Sequence, residues 1–499
     1  MDKPITIIGG GIAGLSAGCY AQMNGYGTRI FEMHDEPGGL CTAWQRKGYT
    51  IDGCLHWLVG SAPGIGLHQI WKELGALQGQ RIVDLEQFYR IEDASGKAFT
   101  WYSDANRLEQ HMIELAPEDV KLARECTRAI RHFAGFNMPM DKAPELYNII
   151  DGVKMMLKVL PFFGDLRKWG RMSMKNFTQQ FKNSLLREAW QRFWPSEFSV
   201  MAVLMTLAWL HQKTAGYIIG GSMELSRAME KRYLGLGGEI RYKSRVSKIL
   251  VENDRAVGVK LVDGSEHRAD YVISAADGHA TIFDMLDGKY VNDNIRRYYE
   301  KLPIFSPLIY IGLGVNRSFE DVPQMVSGLT FQLDKPVTIA GEERNWLGVR
   351  IHNFDPSLAP AGKTVLTLMI DSNYAYWESL RKDMERYKGE KKQIADTVVT
   401  LLEKRFPGLA AQVEMCDVAT PVTFRRYTGN WQGSYEGWLI TPETMTLRMS
   451  KTLPGLDSFY MIGQWVKPGG GLPSGAMTGR HVIQIICKRD KKPFVTMLP

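Results

Sequence analysis

The chain has 499 residues, enough for about two or three domains that each bury a sizeable core. Its net charge of +7 is modest, and no motif for nucleic-acid binding accompanies the basic residues, so a nucleic-acid partner is not expected. The longest mainly apolar run, residues 198–210, is shorter than the roughly 18 residues that span a bilayer, and the 6 cysteines show no metal-ligand spacing.

The amino terminus has the pattern of a dinucleotide-binding unit. Residues 5–8 predict a short buried strand, and residues 12–24 predict a helix. Between them Gly9, Gly11 and Gly14 fit G-x-G-x-x-G, which permits a tight turn, a close approach to a pyrophosphate and close packing of the helix on the strand. The helix N-terminus would supply N–H donors for the phosphates.

An acidic residue ends the next strand of this unit. Residues 28–32 predict a second strand, and Glu32 stands where a carboxylate accepts the hydroxyls of an adenine ribose. Gly38 and Gly39 follow, and such a pair suits backbone that passes tightly beside a cofactor, although an ordinary turn has the same pattern. Together these features predict a dinucleotide site.

A resemblance to a known family becomes specific at residues 48–57. The glycine unit, Glu32, the Gly38–Gly39 pair and the segment Asp52-Gly53-x-x-His56 resemble the FAD-binding amino terminus of the phytoene desaturase, carotenoid isomerase and retinol saturase family. That family belongs to the wider amine-oxidase-like flavoprotein superfamily. The resemblance implies an FAD-dependent oxidoreductase.

The resemblance resumes in the middle of the chain. Residues 220–225 lead into a predicted helix, and a β-meander follows with turns at residues 253–254 and 263–264. In this family the strand through Val246 offers its backbone to the adenine, and Ala275 follows another buried strand. A core valine is an equally compatible interpretation of Val246.

The third match lies near the end of the chain. Residues 459–463 predict a strand ending in glycine, and residues 467–475 lead into a helix predicted over 476–487. This resembles the family's carboxy-terminal flavin motif, in which a positive helix end stabilises negative charge on the reduced flavin. The family often has an acid where this chain has Gln464, which weakens one expected contact.

The three matches predict an α/β fold in which discontinuous segments build one Rossmann-type FAD-binding domain, residues 1–75, 217–287 and 455–499. Residues 76–216 are expected to form a helical substrate or lid region. Residues 288–454 are expected to form a substrate domain of antiparallel sheet plus helices. Because only one glycine motif of this kind occurs, a built-in NAD(P) domain is not expected. The residues assigned to FAD are Gly9, Gly11, Ile12, Ala13, Gly14, Glu32, Gly38, Gly39, Leu40, His56, Val246, Ala275, Gly463, Gln464, Gly470, Gly471 and Leu472.

Three residues are candidates for catalysis or substrate binding. His56 falls in a cofactor-adjacent motif and would give or take the proton that accompanies hydride transfer, with a structural histidine as the alternative. Arg425 is a candidate for binding a substrate carboxylate, against an ordinary ion pair. Lys467 precedes the triple glycine and is a candidate for a place near the flavin, against a solvent-exposed lysine.

The region expected to cover the flavin is rich in Met and aromatic residues, which would suit a long lipophilic substrate, although plain core packing has the same composition. The set is Phe133, Phe136, Met138, Met140, Met155, Met156, Phe162, Phe163, Trp190, Phe193 and Trp194.

Residues 147–163 place apolar side chains at helical spacing, with Lys154 and Lys158 one turn apart. This pattern predicts either a helix on the protein's own core or one lying on an anionic membrane surface, through which a bilayer-dissolved substrate would enter. A first strand that begins by residue 5 leaves no room for a signal peptide. The expected location is therefore cytoplasmic, with peripheral association with the inner face of a membrane as an open alternative.

The expected function is oxidation, reduction or isomerisation of a carbon–carbon bond in a lipophilic substrate, by hydride transfer at flavin N5 and with an external electron donor or acceptor. Two rivals share the fold. One is an amine oxidase, which would need an aromatic pair flanking the flavin. The other is a prenyl or lipid escort protein without redox chemistry, which would not need an intact flavin cradle.

Overall fold

A computed structural model describes residues 3–137 and 140–499. In chain order its strands are β1 (Ile5–Ile8), β2 (Thr28–Phe31), β3 (Ala43–Arg46), β4 (Tyr49–Asp52), β5 (Leu58–Val59), β6 (Ile82–Val83), β7 (Gln87–Glu92), β8 (Ala98–Tyr102), β9 (Ala215–Ile218), β10 (Glu239–Arg241), β11 (Val246–Glu252), β12 (Arg255–Leu261), β13 (Glu266–Arg268), β14 (Tyr271–Ser274), β15 (Leu308–Val315), β16 (Leu329–Ile339), β17 (Glu342–Ile351), β18 (Thr364–Asp371), β19 (Val413–Ala419) and β20 (Phe459–Met461).

Its α-helices are α1 (Ile12–Met23), α2 (Gly66–Glu73), α3 (Ala105–Leu115), α4 (Val120–Ala134), α5 (Ile149–Val159), α6 (Phe163–Gly170), α7 (Met174–Thr178), α8 (Ser184–Arg192), α9 (Val200–His211), α10 (Ser222–Gly235), α11 (Asp293–Lys301), α12 (Tyr374–Leu380), α13 (Met384–Arg405), α14 (Pro421–Thr428) and α15 (Gly471–Arg489).

The dinucleotide-binding pattern forms the centre of a five-stranded parallel sheet. The strand order is β10-β2-β1-β14-β20, so the sheet takes strands from the beginning, the middle and the end of the chain. Ile5 pairs with Thr28 on one side and with Tyr271 on the other. Helix α1 is buried along nearly its whole length because α10 and α15 pack against it, which accounts for its all-round apolar sequence. The expected α/β fold, with three chain segments in one Rossmann-type sheet, is confirmed.

The second large sheet has seven strands in the order β19-β15-β18-β17-β16-β7-β8. Its pairs are antiparallel except β16 with β7, and helices α12 and α13 pack on it through Trp377, Val398 and Leu402. The hairpin β7–β8 lies inside the region that the sequence assigned to helices. Strand β8 pairs with β7, and β7 pairs with the remote strand β16, which places the hairpin in this sheet.

Helices α12 and α13 are separate because the Asp383 side chain accepts the backbone N–H groups of Glu385 and Arg386 and so caps α13. One helix boundary differs from the sequence-based expectation for a local reason. Helix α15 begins at Gly471, five residues earlier than expected. Pro473 falls in its first turn, where the missing N–H has no partner to lose.

Helices α3, α4 and α6–α9 surround an aromatic core that includes Trp101, Phe177 and Trp190. The exact domain limits stay a prediction. None of the helices found in residues 3–137 and 140–499 has the length and apolar character that a bilayer crossing requires.

Candidate functional site

A cavity of about 1280 Å³ opens at the carboxyl edge of the parallel sheet. Gly9 follows β1, Glu32 follows β2, Ala275 follows β14 and Gly463 comes shortly after β20, and all four line it. Open α/β sheets bind nucleotides at this edge. The volume exceeds the roughly 300–1,000 Å³ of ordinary small-molecule pockets, so the cavity has room for more than one ligand.

The cavity collects the residues that the sequence assigned to FAD from all three segments, except Gly14, which packs behind it. The lining members are Gly9, Gly11, Ile12, Ala13, Glu32, Gly38, Gly39, Leu40, His56, Val246, Ala275, Gly463, Gln464, Gly470, Gly471 and Leu472.

The first glycine turn leaves space beside the N-terminus of α1. The backbone N–H of Gly38 donates to the Gly10 carbonyl at 2.9 Å, which holds the second glycine pair against the first. A Cβ atom on Gly14 would lie 2.0 Å from the Gly9 carbonyl oxygen, so only glycine allows α1 to approach β1 this closely. This geometry fits a pyrophosphate placed at the helix N-terminus.

Glu32 is held at the cavity wall by backbone donors. Its two carboxylate oxygens accept the N–H groups of Gly10 at 2.6 Å and His34 at 2.8 Å, and only 6% of the residue is exposed. Each oxygen retains a second lone pair for a ligand hydroxyl. The arrangement fits the ribose contact expected from the sequence.

The N-terminus of a second helix, α15, also faces the cavity. Gly470, with a φ of +39°, caps α15, and a Cβ atom there would lie 2.1 Å from the Glu436 carbonyl oxygen. Lys467 lines the cavity just before this turn. Burial, and then the charge of Lys451, lowers the pKa of Lys467 to about 8.

His56 lines the cavity, and hydrogen bonds with Arg350 and Asp52 fix the loop that carries it. Burial, and then the Arg350 charge, lowers the pKa of His56 well below its ordinary value, so the imidazole is neutral at pH 7. The buried Arg350 guanidinium donates to the carbonyls of Leu55 at 2.9 Å and His56 at 3.4 Å, while the Asp52 carboxylate accepts the Cys54 N–H at 3.2 Å. Arg350 comes from β17 and has no local motif that would have revealed it.

Glu436 is the second lining residue that the sequence did not single out. Its side chain forms no hydrogen bond or ion pair with any residue that the structure describes. Burial raises its pKa to about 8. The neighbouring ring of Tyr435 packs against Phe305 at 5.4 Å.

The cavity continues from this point into an apolar arm. Trp194 stacks on Phe198 at 5.2 Å, and Phe198 lies 6.0 Å from Phe305. The apolar lining of this arm is Tyr89, Phe136, Met140, Phe193, Trp194, Phe198, Met201, Ala202, Met205, Trp209, Phe305, Trp346 and Ile440.

Only part of the Met and aromatic set that the sequence singled out lines the arm, namely Phe136, Met140, Phe193 and Trp194. Phe133 and Trp190 are core residues, and Met156 and Phe163 are exposed. Met138 lies outside the described residues.

Arg425 does not reach the cavity. Its guanidinium donates to the Glu378 carboxylate at 3.2 Å and lies over the Tyr374 ring at 5.4 Å. This is the ordinary ion pair that the sequence left as the alternative. Gln464 lines the cavity, and its amide donates to the Asn430 side chain at 3.0 Å.

Comparison with known proteins identifies the family to which the chain belongs. The profile of the family described as flavin containing amine oxidoreductase matches residues 12–486, nearly the whole chain. The chain belongs to this family. As a flavin-containing amine oxidoreductase in this broad sense, it uses FAD, and the donor groups and glycine turns described above fit that cofactor.

Among curated proteins the chain is similar to a phytoene desaturase (neurosporene-forming) of Rhodobacter capsulatus, with 26% identity over 96% of this chain and 93% of that one. It is also similar to a chloroplastic prolycopene isomerase of Daucus carota, with 26% identity over 98% and 81% of the two chains. The resemblance found in the sequence is thereby confirmed.

Solved structures share the fold. An oxidoreductase from Methanosarcina mazei aligns with a TM-score of 0.59 and 17% identity, over 96% of this chain and 100% of that one. The cyclohexylamine oxidase of Brevibacterium oxydans aligns with a TM-score of 0.58 and 14% identity, over 99% and 100%.

Proposed function

We propose that this flavoprotein oxidises, reduces or isomerises a carbon–carbon bond in a long lipophilic polyene. One observation carries the proposal: the cavity that joins the FAD cradle to the apolar arm is continuous. The curated relatives named above are a desaturase and an isomerase of such molecules, which supports the same substrate class. The cavity volume suits a dinucleotide together with a slender second molecule.

The chain's own groups have separate tasks in this proposal. FAD, when bound, accepts or supplies hydride at N5. The apolar arm binds the polyene and excludes water from the reacting carbons. His56 offers a neutral imidazole whose ring nitrogens hold a hydrogen bond or a proton at the cavity wall, and Arg350 fixes the loop that carries it.

Spectroscopy of the purified protein tests the function. Bound FAD should give the yellow absorption of oxidised flavin. Under anaerobic conditions, phytoene should bleach it if the protein is a desaturase, and prolycopene should be isomerised after prior reduction of the flavin if it is an isomerase. Putrescine and cyclohexylamine serve as controls for the amine oxidase rival. Bleaching by an amine and not by a polyene would contradict the proposal, and a protein that takes up no FAD would favour the escort rival.

We further propose that α5, α6 and the turn between them dock on an anionic membrane surface. The capping box formed by Asn148 and Asp151 stabilises α5, yet the helix buries none of its residues, and Ile149 is 87% exposed. The other exposed apolar side chains of this face are Ile150, Val153, Met156, Leu157, Leu160 and Phe163.

This face adjoins the apolar arm of the cavity. Phe162, in the turn between α5 and α6, contacts the ring of Phe136 at 4.9 Å, and Phe136 lines the arm together with Met140. A bilayer-dissolved substrate would therefore enter beside the docked helices. An external electron donor or acceptor would complete the cycle in either redox direction.

Vesicle flotation tests the docking. The protein should float with anionic vesicles and not with neutral ones, and the double variant Lys154→Glu/Lys158→Glu should lose this at least tenfold. Lys388→Glu/Lys392→Glu makes the same charge change one turn apart on the exposed side of α13 and should float normally. Equal loss in both variants would show a net-charge effect and contradict the proposed surface.

A further inference from the structure

We propose that Glu436 is the group that exchanges a proton with the substrate carbon during this reaction. The inference rests on the proposed function and adds a residue that no motif in the sequence marks. It is based on the position of Glu436 in the cavity and on the absence of a hydrogen-bond or ion-pair partner among the described residues.

Glu436 stands where the two parts of the cavity meet. Its carboxylate oxygen would lie 2.8 Å from a Cβ atom on Gly471, so it touches the glycine turn that begins α15. Its neighbour Tyr435 belongs to the apolar arm through its contact with Phe305. A substrate held in that arm and a flavin held at the glycine turn would both reach this carboxyl.

The Glu436 carboxyl does not stabilise the fold through a hydrogen bond or an ion pair with any described residue. No described residue donates a hydrogen bond to it or forms an ion pair with it. Cys54 and Tyr435 are the titratable groups coupled to it. The hydrogen bond with Cys41 and then burial raise the pKa of Cys54, burial raises the pKa of Tyr435, and the charge of Glu436 adds to both shifts. Glu436 is half-buried, and a carboxyl without a partner at a cavity wall is a candidate for proton transfer.

The charge state of the carboxyl suits this role. Burial alone raises the pKa of Glu436 to about 8, so its acid and base forms coexist near neutral pH, where proton transfer is most efficient. Lys467 and His56 also line the cavity. The neutral imidazole of His56 is a far weaker base, because its pKa is well below the ordinary value.

In the desaturation direction the step balances as follows. The Glu436 carboxylate takes a proton from one carbon, and the electron pair of the broken C–H bond forms the new π bond as hydride leaves the adjacent carbon. Oxidised FAD, when bound, would be the two-electron acceptor of that hydride. In isomerisation the carboxylic acid first adds its proton to one carbon of a double bond, the resulting cation rotates about what is now a single bond, and the same proton returns to the carboxylate.

The variant Glu436→Gln keeps the shape of the side chain and removes the titrating proton. We expect normal FAD content and at least a 100-fold slower single turnover. In the wild type the rate of desaturation should rise with pH through about 8, or the rate of isomerisation should fall through the same value. Glu436→Gln should lose this inflection, whereas His56→Gln and Lys467→Gln, which remove the other two titratable side chains of the cavity wall named above, should keep it. Glu443→Gln, an exposed acid in the same segment, is the matched control.

A second readout does not depend on turnover. The difference between the infrared spectra of the wild-type and Glu436→Gln holoproteins should show a protonated carboxyl band that disappears between about pH 6 and pH 10. The band of Asp277, whose pKa burial raises to about 7, is common to both proteins and cancels. Absence of such a band from the difference spectrum, or a turnover within tenfold of the wild type, would overturn the assignment. A wild-type protein inactive on every polyene would instead overturn the proposed function and the assignment with it.

Discussion

At the residue scale, the closest backbone contact of the site makes Gly14 irreplaceable. The Cβ atom of Gly14→Ala would lie 2.0 Å from the Gly9 carbonyl oxygen, which is a backbone atom and cannot rotate aside as the end of a flexible side chain can. Helix α1 must then shift away from β1, at a cost of about 1–3 kcal/mol, and its N-terminus leaves the phosphate position. We expect Gly14→Ala to be purified with less than a tenth of the wild-type flavin.

Gly27→Ala is the matched control for this prediction. Gly27 belongs to the same βαβ unit, and a Cβ atom there would have nothing within 4 Å. Flavin content is read from the absorbance of purified protein and from titration with added FAD. Full FAD binding by Gly14→Ala would show that the close approach of α1 is not required for the cradle.

At the scale of elements, one buried carboxylate ties the FAD sheet to the substrate region. Asp277 follows β14, and its oxygens accept the backbone N–H groups of Ala280 and Trp431, both at 2.8 Å. Asp277→Ala leaves these two donors without an acceptor, which should cost about 1–3 kcal/mol for each one that stays buried.

The cost of Asp277→Ala should depend on pH. Burial raises the folded-state pKa of Asp277 to about 7, above the unfolded value of about 3.9, so the folded protein binds more protons between these limits. The stability that Asp277 contributes is therefore greatest at low pH and falls as pH rises through about 7. The loss of unfolding free energy in Asp277→Ala should be about 2 kcal/mol larger at pH 5 than at pH 8.

Hydrogen exchange locates this effect. Peptides that cover residues 278–285 and 429–434 should exchange faster in Asp277→Ala, whereas Asp284→Ala, an exposed carboxylate a few residues away, should leave both unchanged. Faster exchange in only one of the two peptides would mean that Asp277 does not couple these segments.

At the scale of the whole molecule, the residues that form the cofactor site could be predicted from the sequence, whereas several residues that line the substrate part of the cavity could not. Gly9, Gly11 and Glu32 act through local backbone geometry, which leaves a spacing that can be recognised. Arg350 and Glu436 line the same cavity, but they reach it only through the packing of remote elements, so nothing near them in sequence marks their place. The hairpin β7–β8 was missed for the same reason, since its partner β16 lies more than two hundred residues away.

The continuity of the cavity is the whole-molecule feature that makes a prediction about substrate length. Ala202 lies near the start of α9 and lines the apolar arm, as do Met201 and Met205 of the same helix. Ala202→Phe should narrow the arm without touching the FAD cradle. A long polyene should then show about a tenfold or greater rise in KM, while a short prenyl analogue that stops before Ala202 should react as in the wild type.

Ala361→Phe, in an exposed turn, controls for the added ring, and flavin absorbance checks that the cradle is intact. Equal effects of Ala202→Phe on the long and the short substrate would place the substrate in another part of the cavity and separate the apolar arm from the reaction.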